Sequence, residues 1–239
     1  MLENISINKI LFLDVETVPA APTFSELSEE FQLLWAEKTK WQRSEGQTAD
    51  EFYGLKAGVM AEFAKVICIS VGYIYEKNKT SYFRIKSFYG DDEQLILEEF
   101  KALLDEKFAT KNHYLCAHNG KEFDYPFLCR RMLVNGVQLP KILEISGKKP
   151  WEVRHLDTME MWKFGDYKHY TSIKLLAALF GVPTPKDDID GSQVAKVYWQ
   201  DKDLERIKNY CQKDTLTVAQ ILLKYMCKPI LTEEQIEVA

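Results

Sequence analysis

Asp14 and Glu16 stand two residues apart in the run KILFLDVETVP, a spacing that on a strand sends both carboxylates from one face. Like charges so placed raise each other's pKa, and each costs several kcal/mol if desolvated alone. The pair therefore needs a cation, a water-filled cleft, or an exposed strand end where both acids are solvated. Asp124 follows the turn signal Asn119-Gly120 and falls in the first turn of a helix, where the dipole favours an anion; the position also suits an ordinary cap. Tyr210 and Asp214 are four apart in a long amphipathic helix, which puts phenol and carboxylate on one face and fits a surface pair equally well. Together, Asp14, Glu16, Asp124 and Asp214 offer the hard oxygen ligands that suit Mg²⁺ or Mn²⁺. Two such ions ~3.5–4 Å apart would grip a scissile phosphate, ionise a water and stabilise a departing 3′ oxyanion, with Tyr210 orienting that water.

The elements that must position these groups are legible in the hydrophobic pattern. Residues 9–15 read as a buried central strand ended by Pro19, and residues 20–64 as a polar, helical insertion containing Trp35 and Trp41, with no capping box at Ser25 and Ser28. Residues 65–76 and 80–89 alternate and form a hairpin around Lys77-Asn78-Lys79. Asp91 and Asp92 open a helix of about sixteen residues, and 113–117 is a short strand. Residues 123–134 are helical, 142–145 give a possible short strand and 153–158 a last core strand. Helices follow over 173–180, 192–199 and 204–226, the first stopping at Gly181. The order predicts an α/β sandwich with a mixed five-stranded sheet flanked by helices. A dinucleotide fold is excluded, because Glu16, Thr17, Val18 and Pro19 stand where its glycine-rich turn belongs.

With 239 residues, 46% of them hydrophobic, the chain has mass for one substantial core, and we read 1–239 as one domain. A net charge of -5 excludes a broad electrostatic grip on a duplex, so contact with nucleic acid must be local. Arg130-Arg131 and Lys148-Lys149 could line a groove or lie on a solvated face. Five scattered cysteines without a C-x-x-C pair read as reduced and mostly buried. No signal-like or membrane-spanning stretch is present, which predicts a soluble, cytoplasmic protein without a membrane partner.

The motifs resemble those of the DEDD superfamily of 3′-to-5′ exonucleases, in its tyrosine-containing branch, and look most like stand-alone relatives of the proofreading domain of family-B DNA polymerases. FLDVETVP matches an Asp-x-Glu motif, AHNGKEFDYPFLCRRM carries Asn119, Phe123 and Asp124 in an Asn-x-x-x-Phe-Asp pattern, and YCQKD matches Tyr-x-x-x-Asp. The resemblance implies a ribonuclease-H-like fold and two divalent metals held by Asp14, Glu16, Asp124 and Asp214. Glu16 would also approach the terminal 3′ hydroxyl, and Tyr210 would hold the water. It further implies that Val15, Thr17 and Val18 contact the last nucleotide, and that Asn119 and Phe123 shape its pocket. The partner implied is nucleic acid with a free 3′ end, single-stranded DNA first; an exoribonuclease of the same superfamily and a catalytically silent binding module are the alternatives. An acidic chain of this kind also leaves room for a protein partner.

His118 and His155 read as structural, and Asp157 as a cap or a support behind the cleft. The aromatic-rich stretch 162–170 could stack on bases or simply pack.

Overall fold

The computed structural model describes residues 5–166, 170–183 and 189–239. Its centre is strand β1 (Ile10–Pro19), whose alternating side chains feed two layers of core. Leu11, Leu13 and Val15 face helix α3 (Glu93–Lys107) and helix α4 (Asp124–Val134), meeting Leu97, Phe100, Leu128 and Met132. Ile10 and Phe12 face the long helix α8 (Leu204–Tyr225), against Val218, Ala219 and Leu222. Each fully buried Leu or Phe contributes roughly 1.5–3 kcal/mol through removal from water, which fixes the strand's register: a slip by one residue would exchange the two faces.

Strand β2 (Ala64–Lys77) pairs antiparallel with β1 and with β3 (Thr80–Tyr89), forming the predicted hairpin; Asn78 and Lys79 turn it with positive φ. Strand β4 (Tyr114–Ala117) runs parallel to β1, and β5 (Leu156–Asp157) parallel to β4. A short C-terminal strand, β6 (Ile236–Val238), lies parallel on β3, so the described sheet has six strands in the order β5-β4-β1-β2-β3-β6, one more than predicted. The segment Ile236–Val238 escaped sequence reading because three residues carry no measurable period. The predicted strand over 142–145 is instead a 3-10 turn, Lys141–Leu143, that drops Leu143 into the core. The predicted strand over 153–158 shrinks to Leu156–Asp157; Asp157 is its last residue, pairing with Ala117 while its side chain caps helix α5 (Thr158–Lys163). Helix α6 (Ile173–Phe180) stops at Gly181 in the left-handed region, and a short helix α7 (Val194–Lys196) runs into a π turn over Val197–Asp201.

The predicted helical insertion contains α1 (Glu29–Thr39) and α2 (Ala49–Lys56), packed around Trp35 by Phe52, Tyr53 and Phe63. Ser28 caps α1 through the Phe31 amide, and the capping box sits at Thr48 and Glu51. The segment is stitched to the end of β1: Thr17 Oγ1 donates to Gly58 O at 2.6 Å and the Ala20 amide to Phe63 O at 2.8 Å. Arg131, for which the sequence allowed a groove or a solvated face, is buried. Its guanidinium forks onto Glu93 at 2.8 and 2.5 Å and donates to Ala61 O at 2.9 Å, joining α4, α3 and the insertion's far end.

Candidate active site

β1 and β4 are parallel, so their C-terminal ends open on the same edge of the sheet, and there the chain gathers its acids, Glu16 and Asp124 buried, Asp14 and Asp214 half-buried. Asp14 and Glu16 lie on the β1 face that looks toward α8, in the line Ile10, Phe12, Asp14, Glu16. The inward stripe of α8 runs through Ile207, Cys211, Val218 and Leu222, and the helical period places Asp214 on that stripe between Cys211 and Val218. Tyr210 is buried, not a surface residue, and its phenol hydrogen-bonds Asp214. Asp124 is the first residue of α4, reached from β4 through the tight loop 118–123, and it is buried as well.

The charges of these residues act on one another. Burial, then the charge of Asp214, pushes the Asp14 carboxyl up to about 7. Glu16 is held well above the ordinary carboxylate range by burial and then by Asp14, Asp214, Cys68 and Asp124. Asp124 is raised by burial and then by Asp14. Burial and the Asp214 and Glu16 charges likewise keep the Tyr210 phenol protonated far above neutrality. Four carboxylates that read as separate sequence motifs thus form one electrostatic unit. Asp14 Oδ2 is buried and accepts no hydrogen bond among the described residues. A hard cation satisfies an oxygen so placed, and it reverses the mutual repulsion that raises these pKa values; the residues present fit a divalent metal.

Cys211 is the neighbour that sequence reading did not single out. Its thiol donates to Asp14 O at 3.3 Å, and Asp14, Glu16 and Cys211 each present a potential ligand atom within 4.8 Å of the others. Its place directly after Tyr210, on the inward stripe, was the available signal. All five cysteines are free; Cys68, Cys116 and Cys211 are buried, Cys129 is half-buried and Cys227 exposed.

The loop bearing Asp124 is held by Asp157. Its Oδ1 accepts from the amides of Asn119 at 3.0 Å, Met159 at 3.0 Å and Glu160 at 3.1 Å, while Oδ2 accepts from Lys121 at 3.0 Å. Asn119 takes φ 64°, and its side-chain Oδ1 is buried without a hydrogen-bond partner among the described residues. Gly120 lies so close to the strand that a Cβ there would meet Ala117 Cβ at 2.5 Å and the Tyr125 ring at 2.9 Å. Phe123 is half-buried against Phe127, with ring centroids 5.2 Å apart. Val15 packs into the cluster under α3 and α4, and Val18 into the cluster that holds Cys68, Tyr210 and Cys211; a bulge between Glu16 and Thr17 separates the two registers. Thr17 spends its hydroxyl on Gly58. His118 bridges Thr158 and Thr171, and His155 bridges the Leu115 amide and Ile142 O, both as structural side chains. The stretch 162–170 lies partly outside the described residues. Of its described part, Trp162 packs edge-on to Phe180, Phe164 is exposed, and Tyr170 donates to Glu122 at 2.6 Å.

A mixed sheet of ribonuclease-H-like form, with acids from β1, α4 and α8 converging where its parallel strands end, defines the class: a hydrolytic exonuclease. Comparison with known families makes this specific. Residues 59–237 match the family described as predicted 3′-5′ exonucleases related to the exonuclease domain of PolB, and the chain belongs to that family. The match includes Asp124, Tyr210 and Asp214, whereas Asp14 and Glu16 precede it. Among the described residues, no helix is long and apolar enough to cross a membrane.

Proposed function

We propose that the protein removes nucleotides from the 3′ end of single-stranded DNA by a two-metal mechanism, with Asp14, Glu16, Asp124 and Asp214 as the metal ligands. The supporting observation is the convergence of acids from three elements, their pKa values raised by burial and then by one another, around a buried Asp14 oxygen that has no donor among the described residues. Bound there, divalent ions would neutralise the scissile phosphate and lower the pKa of the attacking water.

The chain's own groups then divide the remaining work. Tyr210 stays protonated and gives its hydrogen to Asp214, which leaves the phenol oxygen's lone pairs to accept a hydrogen bond from the attacking water; it orients the water without acting as a base. The terminal nucleotide lies against the backbone of Val15, Thr17 and Val18, since the valine side chains are committed to the core, and between Asn119 and Phe123. In this reading Glu16 also approaches the terminal 3′ hydroxyl. In this reading residues 1–239 form one exonuclease domain, with 20–64 inserted at the end of β1.

Single-stranded 5′-labelled DNA in Mg²⁺ or Mn²⁺ is expected to shorten in single-nucleotide steps, releasing mononucleotides, and Asp14→Ala to stop the ladder. Matched RNA cut faster than DNA would turn the assignment to an exoribonuclease. A wild-type protein that binds the 3′-ended strand but releases no mononucleotide would replace the enzyme with a binding module.

A further inference from the structure

The opposite end of the same strands carries a feature that hydrolysis does not use. Residues leading into β4 and β5, together with the turn after α4, enclose a cleft of about 120 Å³ lined by Lys111, Lys141, Lys148 and Arg154, with Glu144 as the one carboxylate among its lining residues. In a chain of net charge -5 this concentration of positive charge stands out, and among the described residues none of the four cations makes an ion pair. Arg154 is fixed without an acid: its guanidinium donates to His113 O and lies 4.7 Å over the Tyr114 ring. Both histidines beside the cleft register the positive field. His155 is pushed down to about 4, first by burial and further by Arg154, Lys121 and Lys148; His113 is lowered by burial, Lys9 and Arg154.

A second observation points to the kind of anion. The segment 148–154 (KKPWEVR) interleaves these cations with Trp151, which is 72% exposed, and Lys149 Nζ lies 5.1 Å over its ring. An exposed aromatic face beside these cations suits a base flanked by backbone phosphates, whereas a free phosphate would have no use for the indole.

We infer that this cleft is a second contact for single-stranded nucleic acid, in which Lys111, Lys141, Lys148 and Arg154 take a backbone phosphate and Trp151 stacks a base. The inference takes its ligand class from the function proposed above, but the cleft is separate from the acid cluster. Tyr114 is level with Ile10, six residues along β1 from Glu16, so at ~3.3 Å per residue the two sites are roughly 20 Å apart along the strand direction. At ~3.4 Å per nucleotide about six nucleotides span that distance, so shorter substrates would not reach the cleft.

The test is fluorescence anisotropy with the full chain and 3′-blocked single-stranded DNA, in chelator without divalent metal. Lys141→Glu/Lys148→Glu is expected to weaken a strand of about twelve nucleotides roughly tenfold, and to reduce the slope of log affinity against log salt by about 0.7, the loss of one phosphate contact. Trp151→Ala should weaken it with the slope unchanged. An unchanged thermal melt would show that the variants fold. Equal affinity and slope in wild type and the double variant would overturn the proposal. So would cleft-dependent binding of inorganic phosphate with no change for the oligonucleotide, which would leave a free-anion site. Because no metal is present, failure of the hydrolytic assignment would appear only in the cleavage assay, and failure of the cleft only here.

Discussion

At the scale of single residues, the acid cluster implies an opposition between stability and activity. Burial and the Asp214 charge push the Asp14 carboxyl up to about 7 in the folded chain from an ordinary 3.8, so between those values the folded state holds more protons than the unfolded one. Stability of the metal-free protein is therefore highest at the acid end of this window, falls as pH rises through it, and is lowest above about 7. Asp14→Asn removes a buried like charge and is predicted to stabilise the metal-free protein by roughly 1–3 kcal/mol at pH 8, with little difference at pH 5, as read from urea midpoints. The same variant should lose cleavage by a factor of roughly a hundred or more, since one ligand of the proposed centre is gone. A destabilised Asp14→Asn protein at pH 8 would show that the acids are well solvated after all. Metal and proton compete for the same oxygens, so added Mn²⁺ is predicted to raise the melting temperature more at pH 8 than at pH 5.5, as measured by calorimetry.

At the scale of elements, the site depends on a few supports that hold strand ends and helix starts in register. Asp157 alone accepts four backbone amides, two from the loop ahead of Asp124 and two from the first turn of α5. Asp157→Ala leaves those donors without their acceptor and is predicted to cost about 2–4 kcal/mol, judged from a cap worth ~1 plus further charge-assisted bonds of ~1.5–3 each, part of which water restores. Its effect on cleavage should exceed that of an equally destabilising change remote from the loop, because Asp124 moves with Asn119 and Lys121. Activity that merely tracks the folded fraction would assign Asp157 to the fold only. The Glu93–Arg131 pair is the corresponding brace for the insertion: Glu93 also accepts from the Val66 amide at 2.7 Å and from Asn135 at 2.9 Å. Glu93→Ala strands a buried guanidinium and is predicted to destabilise by about 3–5 kcal/mol, detectable as a lowered denaturation midpoint.

At the scale of the whole molecule, the sheet sorts its chemistry by direction. Acids collect where β1 and β4 end, the basic cleft lies where β4 and β5 begin, and a net charge of -5 surrounds both. Since a substrate is also an anion, its approach to the acid end requires metal, and retention is predicted to depend strongly on ionic strength. Raising salt from 50 to 200 mM in steady-state assays should increase KM for long strands several-fold and leave kcat nearly constant, because screening acts on phosphate contacts away from the reacting bond. A fall in kcat with constant KM would place the salt effect at the chemical step.

Much of this was readable from residue order alone. Period-two alternation gave the hairpin over 65–89, and period-3.6 stripes, with the stop at Gly181, gave α6 and α8 almost to the residue, because both are local consequences of burying one face. Spacing also nominated Asp14, Glu16, Asp124, Tyr210 and Asp214, yet each motif read alone allowed a cap or a solvated surface pair. Tertiary structure decided what no local pattern carries. It put Asp214 against Asp14 across a distance of two hundred residues of chain, buried Arg131 on Glu93, turned Val15 and Val18 into the core, and added β6 at the edge of the sheet. The physical reason is that burial and electrostatic coupling depend on which faces meet, and a periodic pattern specifies that a face is buried without specifying its partner.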